Sequence, residues 1–521
     1  MDFYTNVVQW GNFLLVRGVD NNQRVNFRLK YKPTLFVPVM KQTDWKTLDG
    51  KSVTPYQFDC IKDAKDFLLK YESQPHLVHG LNRFAYTYIS DTFPQKVNWN
   101  IDKILIMTID IEVQCENGFP NPESAIEPLL SITVKNQQSK KIIVWGIQPY
   151  KNTREDVTYI RCPNEHDLIM EFMSFWTKNY PDVITGWNTD FFDIPYLANR
   201  IKQVCGEDKM RELSPWKNVS SKQIYSMGRN HLMYDIMGVS QYDYLQLYQK
   251  FTYTRQESYK LDYIASVELG EKKDENPYET FREWYENDFQ SFIDYNIQDV
   301  EIVDKLEDKM GLIDLALTMA YEGKVNYSDV FGQVKYWDIL IYNFLRKRKI
   351  VIPQKSSHSK NEQYEGAYVK EPITGLHKWV VSFDLNSLYP HLIMQYNLSP
   401  ETLLKSKHQD LTVDDMLKGI KLNIPDKTTM TPNGALFRTD KKGFLPTMME
   451  ELYNERVTYK KKMLSAQQEF ENTKDNKYKK LISRYNNIQM ARKISLNSAY
   501  GAIGNQYFRY YDKAIAEGIT K

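Results

Sequence analysis

The sequence predicts a multidomain protein of mixed α/β and α+β architecture. Three observations carry that prediction. The chain has 521 residues, which at roughly 150 residues per domain makes about three to four domains. Its middle part alternates strand-like apolar runs with amphipathic helical ones, the pattern of an α/β unit. Its C-terminal part changes to long, polar, basic stretches that read as helices.

The N-terminal stretch reads as short strands and turns. Residues 3–9 and 13–16 flank Gly11-Asn12, a hairpin signal. Residues 59–71 read as a helix. A new unit opens near Lys103. ILIMTIDIEV, residues 104–113, is a buried-strand pattern, and residues 129–134 and 141–145 continue the sheet. A helix is expected over 167–178 and a strand over 183–186. Residues 284–321 read as mostly helical, and 337–348 as another helix. The polar run 353–359 marks a boundary, and a further strand is expected over 379–385. Past Met449 the helices are basic. From Arg456 to Lys493 there are eleven Lys or Arg and three Asp or Glu, a local charge of +8.

Composition narrows the function classes. The formal charge is +2, so any nucleic-acid surface must be a local patch rather than a basic coat. Hydrophobic residues make up 42% and aromatics 14%, which excludes a disordered chain. The four cysteines, Cys60, Cys115, Cys162 and Cys205, form no CxxC pair, and no HExxH occurs. No cysteine-based zinc site or disulfide framework is signalled. The start, Met1-Asp2-Phe3-Tyr4, has no basic region followed by an apolar run, and no apolar stretch reaches 18 residues. A signal peptide or membrane-spanning segment is not expected, which points to a soluble, reducing compartment.

Asp110 and Glu112 lie two apart on the 104–113 strand, so period two puts both carboxylates on one face. Alone, such a pair is as compatible with a solvated or ion-paired role. Asp193 follows a strand and Gly186-Trp187-Asn188, and enters the first turn of a helix, where the backbone N–H groups favour an acid. Tyr295 and Asp299 are four apart on one helix face. Alone, each of these is also commonplace.

Taken together and in this order, the three segments resemble the exonuclease motifs of proofreading 3′–5′ exonucleases of the DnaQ-like, ribonuclease H-like type. The resemblance implies that Asp110, Glu112, Asp193 and Asp299 bind two Mg²⁺ or Mn²⁺ ions, and that Tyr295 orients the attacking water. An all-carboxylate set suits such hard cations.

A second constellation lies further on. Ser382-Phe383-Asp384-Leu385-Asn386-Ser387-Leu388-Tyr389-Pro390 resembles motif A of family B DNA polymerases. Lys493, Asn497 and Tyr500, spaced i, i+4, i+7, resemble motif B with Gly501 behind them. The resemblance implies that Asp384 binds two further catalytic ions. Ser387, Leu388, Arg456, Lys460, Lys493 and Asn497 would meet the triphosphate of a deoxynucleoside triphosphate substrate. Tyr389 would lie under the sugar and Tyr500 beside the nascent base pair. Gly501 and Gly504 would approach the template. Tyr364 and Gly366 match the family's YxG motif for the primer-template backbone.

The phrases GWNxxxFDIPYxxNR, YNIxDV and NSxYGAxGNxxFRYYD are similar to those of T4-like bacteriophage replicative polymerases. That pattern implies an N-terminal domain over 1–104 and 312–355, an exonuclease domain over 105–311, a first palm segment over 356–441, fingers over 442–505 and the start of a second palm segment over 506–521. Residues 226–242 occupy the place of the editing hairpin.

Two features depart from the family. The fingers are short, with 32 residues between Lys460 and Lys493. No DTDS motif follows motif B, so the second palm acid is missing and the thumb is absent. One carboxylate cannot preorganise a two-metal site. The expectation is therefore a split or truncated enzyme, whose polymerisation needs a second polypeptide carrying DTDS and the thumb. Expected partners are primer-template and single-stranded DNA, a sliding clamp and a single-stranded-DNA-binding protein, with the chain's own messenger as a regulatory target and no membrane. The expected location is the cytoplasm of an infected bacterium. The alternatives are a stand-alone 3′–5′ exonuclease with a vestigial polymerase region, or a nucleic-acid-binding autoregulatory fragment.

Overall fold

The computed structural model describes residues 1–116, 118–226, 228–252, 254–272, 276–355, 366–420 and 422–521. These residues form two compact units. The first comprises Met1–Leu29, Lys96–Leu317 and Asn326–Ser328, and the second Lys30–Gln95, Thr318–Val325 and Asp329–Lys521.

The first unit is built on a six-stranded mixed sheet. Its strand order is Val157–Arg161, Ile142–Gly146, Leu129–Asn136, Ile106–Val113, Val183–Gly186 and Ser240–Asp243. Ile106–Val113 pairs antiparallel with Leu129–Asn136 on one side and parallel with Val183–Gly186 on the other. The period-two reading holds along it. Ile109, Ile111 and Val113 enter a core with Phe172, Trp176, Ile194 and Leu197 from helices Glu165–Lys178 and Asp193–Cys205. Asp110 and Glu112 stay half-buried on the opposite face. That face is covered by helix Phe289–Met310, whose Phe292, Ile297 and Val300 pack with Leu130 and Val144.

The helical stretch expected over 284–321 is cut into three. Asp288 ends Phe281–Asn287 and caps the next helix by accepting the Ser291 N–H at 3.1 Å. Gly311, at φ 62°, ends that helix in the left-handed region before Leu312–Gly323 begins. The first strands, Phe3–Trp10, Phe13–Asp20 and Gln23–Lys30, form an antiparallel sheet with its first turn at Gly11, as the hairpin signal predicted.

One expectation shifts. The projecting hairpin pairs Val219–Ser226 with Arg229–Ile236, so it begins before residue 226, and residues 240–243 belong to the main sheet. Its first strand, VSSKQIYS, carries too few apolar residues for its period to show. Only its partner alternates visibly, turning Tyr234 and Ile236 into the core.

The second unit holds two three-stranded sheets. One is ordered Thr34–Pro38, Ser52–Gln57, Trp45–Lys46, and the other Leu403–Lys407, Ala435–Arg438, Thr428–Met430. Single bridges from Phe36 to His79 and from Lys46 to Ile350 tie residues distant in sequence into this unit. Two long helices, Phe444–Thr473 and Lys477–Ile503, lie side by side, as the basic helical reading predicted. The short helix Lys513–Thr520 packs nearby, and Gly518 comes so close that a Cβ would sit 2.8 Å from Thr431 Oγ1.

The strand expected over 379–385 is not formed. Residues 366–385 carry no regular secondary structure, and Trp379 and Phe383 are 98% and 91% exposed. The run has strand propensity, but propensity yields a strand only where a neighbour completes the ladder. Among the described residues, no helix is long and apolar enough to cross a membrane.

Candidate active site

The sheet and the helix that covers it bring three sequence-distant acids together. Asp110 and Glu112 come from strand Ile106–Val113, and Asp299 from helix Phe289–Met310. One carboxylate oxygen from each lies within 4.8 Å of the others. Like charges at that spacing repel, so the group favours a bound cation or proton over three bare carboxylates. With oxygen donors alone, it fits a hard divalent ion.

Asp193 is not part of that group. It sits beside it, 3% exposed at the start of its helix, with Oδ1 accepting the Ile111 N–H at 3.2 Å. Burial pushes its carboxyl pKa up against the pull of that N–H, and the negative Asp243 and Asp299 push the same way. The loop that carries Asp193 is held by Asp243. This carboxylate accepts from the backbone N–H groups of Asn188 at 3.0 Å and Asp190 at 3.3 Å, while Gln246 donates to Asp190 at 2.7 Å.

Tyr295 is half-buried, with its ring edge-on to Trp284 at 4.9 Å between centroids. It lines a cavity of about 890 Å³ together with Trp187, Lys260 and Phe281. A second cavity, of about 420 Å³, lies between Phe119, Phe191, Phe192 and the hairpin residues Arg229 and His231. Phe191 and His231 have ring centroids 4.5 Å apart.

Sequence reasoning missed Asn296. It is fully buried and donates to Asp110 Oδ2 at 2.5 Å. Its signal was present but faint. Ser131 and Thr133 alternate as polar residues on a strand that is otherwise buried, and such hydroxyls need a buried partner.

The second unit gathers part of the other constellation. Arg456 Nη1 donates to Ser387 Oγ at 3.3 Å, and the rings of Tyr389 and Tyr500 are 4.8 Å apart. Ser387 is left-handed at φ 53° and starts helix Leu388–Gln395. Arg456 and Lys460 lie on Phe444–Thr473, and Lys493, Asn497 and Tyr500 on Lys477–Ile503. Asp384 is not drawn into this group by regular structure. It lies exposed on the unstructured 366–385 run.

Gly501 and Gly504 end the second long helix. A Cβ on Gly501 would lie 2.2 Å from Gln333 Oε1, the end of an exposed, flexible side chain that can swing aside. Gly504 has an ordinary helical φ of −78°. Gly366 is exposed with open space around it, and Tyr364 lies outside the described residues.

Comparison with known proteins finds two matched regions. The exonuclease domain of DNA polymerase family B matches residues 82–264, and DNA polymerase family B matches residues 331–521. The DNA-directed DNA polymerase of Escherichia phage RB69 is 33% identical, over all of this chain and 65% of its own length. The DNA-directed DNA polymerase of Enterobacteria phage T4 is 32% identical, again over all of this chain and 65% of its own length. The DNA polymerase delta catalytic subunit of Candida albicans is 29% identical over 82% of this chain and 41% of its own length. The chain thus spans about two-thirds of the phage relatives, slightly less by the 65% figure. With the acid cluster on the exonuclease-matched unit and the paired tyrosines on the polymerase-matched one, the chain carries the exonuclease domain and part of the polymerase domain of DNA polymerase family B, and belongs to that family.

Proposed function

We propose that the first unit is a DnaQ-like 3′–5′ proofreading exonuclease acting on the 3′ end of DNA. The single observation that supports it most is the convergence of Asp110, Glu112 and Asp299 within 4.8 Å. These three carboxylates, with the neighbouring Asp193, would hold two Mg²⁺ or Mn²⁺ ions. Bound there, the ions supply Lewis-acid charge at the scissile phosphate and make water a stronger nucleophile. The chain's own residues do the rest. Tyr295, one turn before Asp299 and lining the larger cavity, orients the water through its hydroxyl. Phe119, Phe191 and His231 offer rings on which the bases of an unpaired 3′ end can stack. Arg229 adds a cation for the backbone.

In the same reading, the second unit belongs to template-directed deoxynucleotide addition by a complete polymerase. Arg456, Lys460, Lys493 and Asn497 would bind the triphosphate. Tyr389, its ring tilted against that of Tyr500, would exclude a 2′-hydroxyl, and Asp384 would hold the metal ions of synthesis. Tyr364, Gly366, Gly501 and Gly504 would meet DNA. The domain boundaries are those implied by the family pattern, with the N-terminal domain over 1–104 and 312–355 and fingers over 442–505. A partner polypeptide bearing the second palm acid is supported by the run 366–385. There Val380, Phe383 and Leu385 are 76%, 91% and 68% exposed, an apolar surface that a neighbour would cover. The similarity to phage enzymes supports the cytoplasm of an infected bacterium as the location of the protein.

The exonuclease reading is tested with the double variant Asp110→Ala, Glu112→Ala. Digestion of 3′-labelled single-stranded DNA should fall roughly a hundredfold or more, with the circular dichroism spectrum unchanged. Digestion at the wild-type rate would refute the assignment.

A further inference from the structure

Asn296 makes more of the acid cluster than a buried amide would need to. Nδ2 donates to Asp110 Oδ2 at 2.5 Å, and Oδ1 accepts from the hydroxyls of Ser131, at 3.0 Å, and Thr133. Chemistry fixes that orientation. A carboxylate only accepts, whereas both hydroxyls can donate. Asn296, Ser131 and Thr133 are all fully buried.

The strand register places these hydroxyls where they can act on the acids. Thr133 lies directly opposite Asp110, and Ser131 opposite Glu112. Directly opposed residues share a face of the sheet. On the helix, Asn296 is three residues before Asp299, so the two share a face.

A second polar rung locks the same strand to the same helix. Lys135, two residues beyond Thr133, pairs with Asp304 at 2.9 Å, and Lys140 reaches the same carboxylate at 2.8 Å. A slip of the helix by one turn would put Phe292 or Val300 where Asn296 stands. Two buried hydroxyls and the inner oxygen of Asp110 would then lose their partner. Buried polar groups specify register in this way because every alternative leaves them unsatisfied.

We propose that Asn296, anchored by Ser131 and Thr133, is a positioning residue. It turns the Asp110 carboxylate toward the cation and fixes the spacing between Asp110 and Asp299. This inference rests on the reading of the cluster as the exonuclease metal site.

The test uses the full chain, titrated with Mn²⁺ and followed by electron paramagnetic resonance, with Glu112→Gln as the reference for a lost site. If the wild type shows no Mn²⁺ binding that Glu112→Gln abolishes, the metal-site reading fails and this proposal falls with it. If it does show such binding, the Asn296 variant decides. Asn296→Leu should weaken Mn²⁺ binding roughly 10- to 100-fold and lower kcat on single-stranded DNA, with KM for DNA unchanged. Thr133→Ser, which keeps the hydroxyl, should bind Mn²⁺ as the wild type does, and Thr133→Val should follow Asn296→Leu in part. Wild-type Mn²⁺ affinity and kcat in Asn296→Leu, whatever its melting temperature, would overturn the proposal. Should Asn296→Leu not fold, Thr133→Val decides in its place, and unchanged Mn²⁺ affinity there overturns it equally.

Discussion

At Gly186 the backbone of one strand meets that of the next so closely that a Cβ would lie 2.4 Å from the Ile109 carbonyl oxygen. That contact sits one residue from Asp110 and just ahead of the loop leading to Asp193. Only glycine lets the two acid-bearing segments approach this far. Glu307 poses a different residue-scale problem. Its carboxylate accepts from the backbone of Ile313 at 3.0 Å and from the Tyr244 hydroxyl at 3.1 Å. Even so, burial raises its pKa to about 7. An acid whose folded pKa is raised gives stability that is present below its unfolded pKa and lost as pH rises through the folded one. The window therefore runs from the ordinary glutamate range up to about 7. Glu307→Gln, uncharged throughout, should gain melting temperature relative to the wild type between pH 5 and pH 8. Thermal melts of both proteins across that range check the sign, and a constant difference would contradict it.

Among the elements, helix Phe289–Met310 shows how a local signal and a tertiary one divide the work. Its start at Asp288 and its stop at Gly311 are sequence features, written as a capping acid and a left-handed glycine. Its position against the sheet is not. It depends on Asn296, Asp304 and the hydroxyls opposite them, which look like ordinary polar residues until the strand partners are known. The segment 366–385 is the reverse case. Its apolar run predicts a strand, yet without a neighbouring ladder it stays exposed. Limited digestion of the chain with chymotrypsin should therefore cut first near Trp379, Phe383 and Leu385, as mapped by mass spectrometry. Resistance of that segment, with cutting elsewhere first, would contradict its exposure. Addition of a polypeptide that completes the sheet should protect it.

On the scale of the molecule, each unit carries its own core, and buried ion pairs tie distant segments into it. In the second unit Arg509 binds both oxygens of Asp338, at 2.7 and 2.9 Å, and the Pro353 carbonyl at 2.7 Å. The side chains are 2% and 6% exposed. Arg492, beside Lys493, pairs with the largely buried Glu322 and with Glu455, which is half exposed. Asp338→Ala would leave the Arg509 charge buried and unpaired, and should destabilise this unit by about 3–5 kcal/mol. Calorimetry should record the loss as a lower unfolding temperature, and an unmoved transition would refute it. The sequence alone determined the mixed architecture, the strand that carries Asp110 and Glu112, the helix that carries Tyr295 and Asp299, and the two basic helices. Each rests on period, caps and spacing, which are local. Only the tertiary structure decided which acids meet, leaving Asp193 beside the group rather than in it. It alone revealed Asn296 behind Asp110, and it left residues 379–385 without a strand. Those outcomes depend on strand partners and buried hydrogen bonds between residues far apart in the chain, and no local period encodes which distant group a buried polar atom will find.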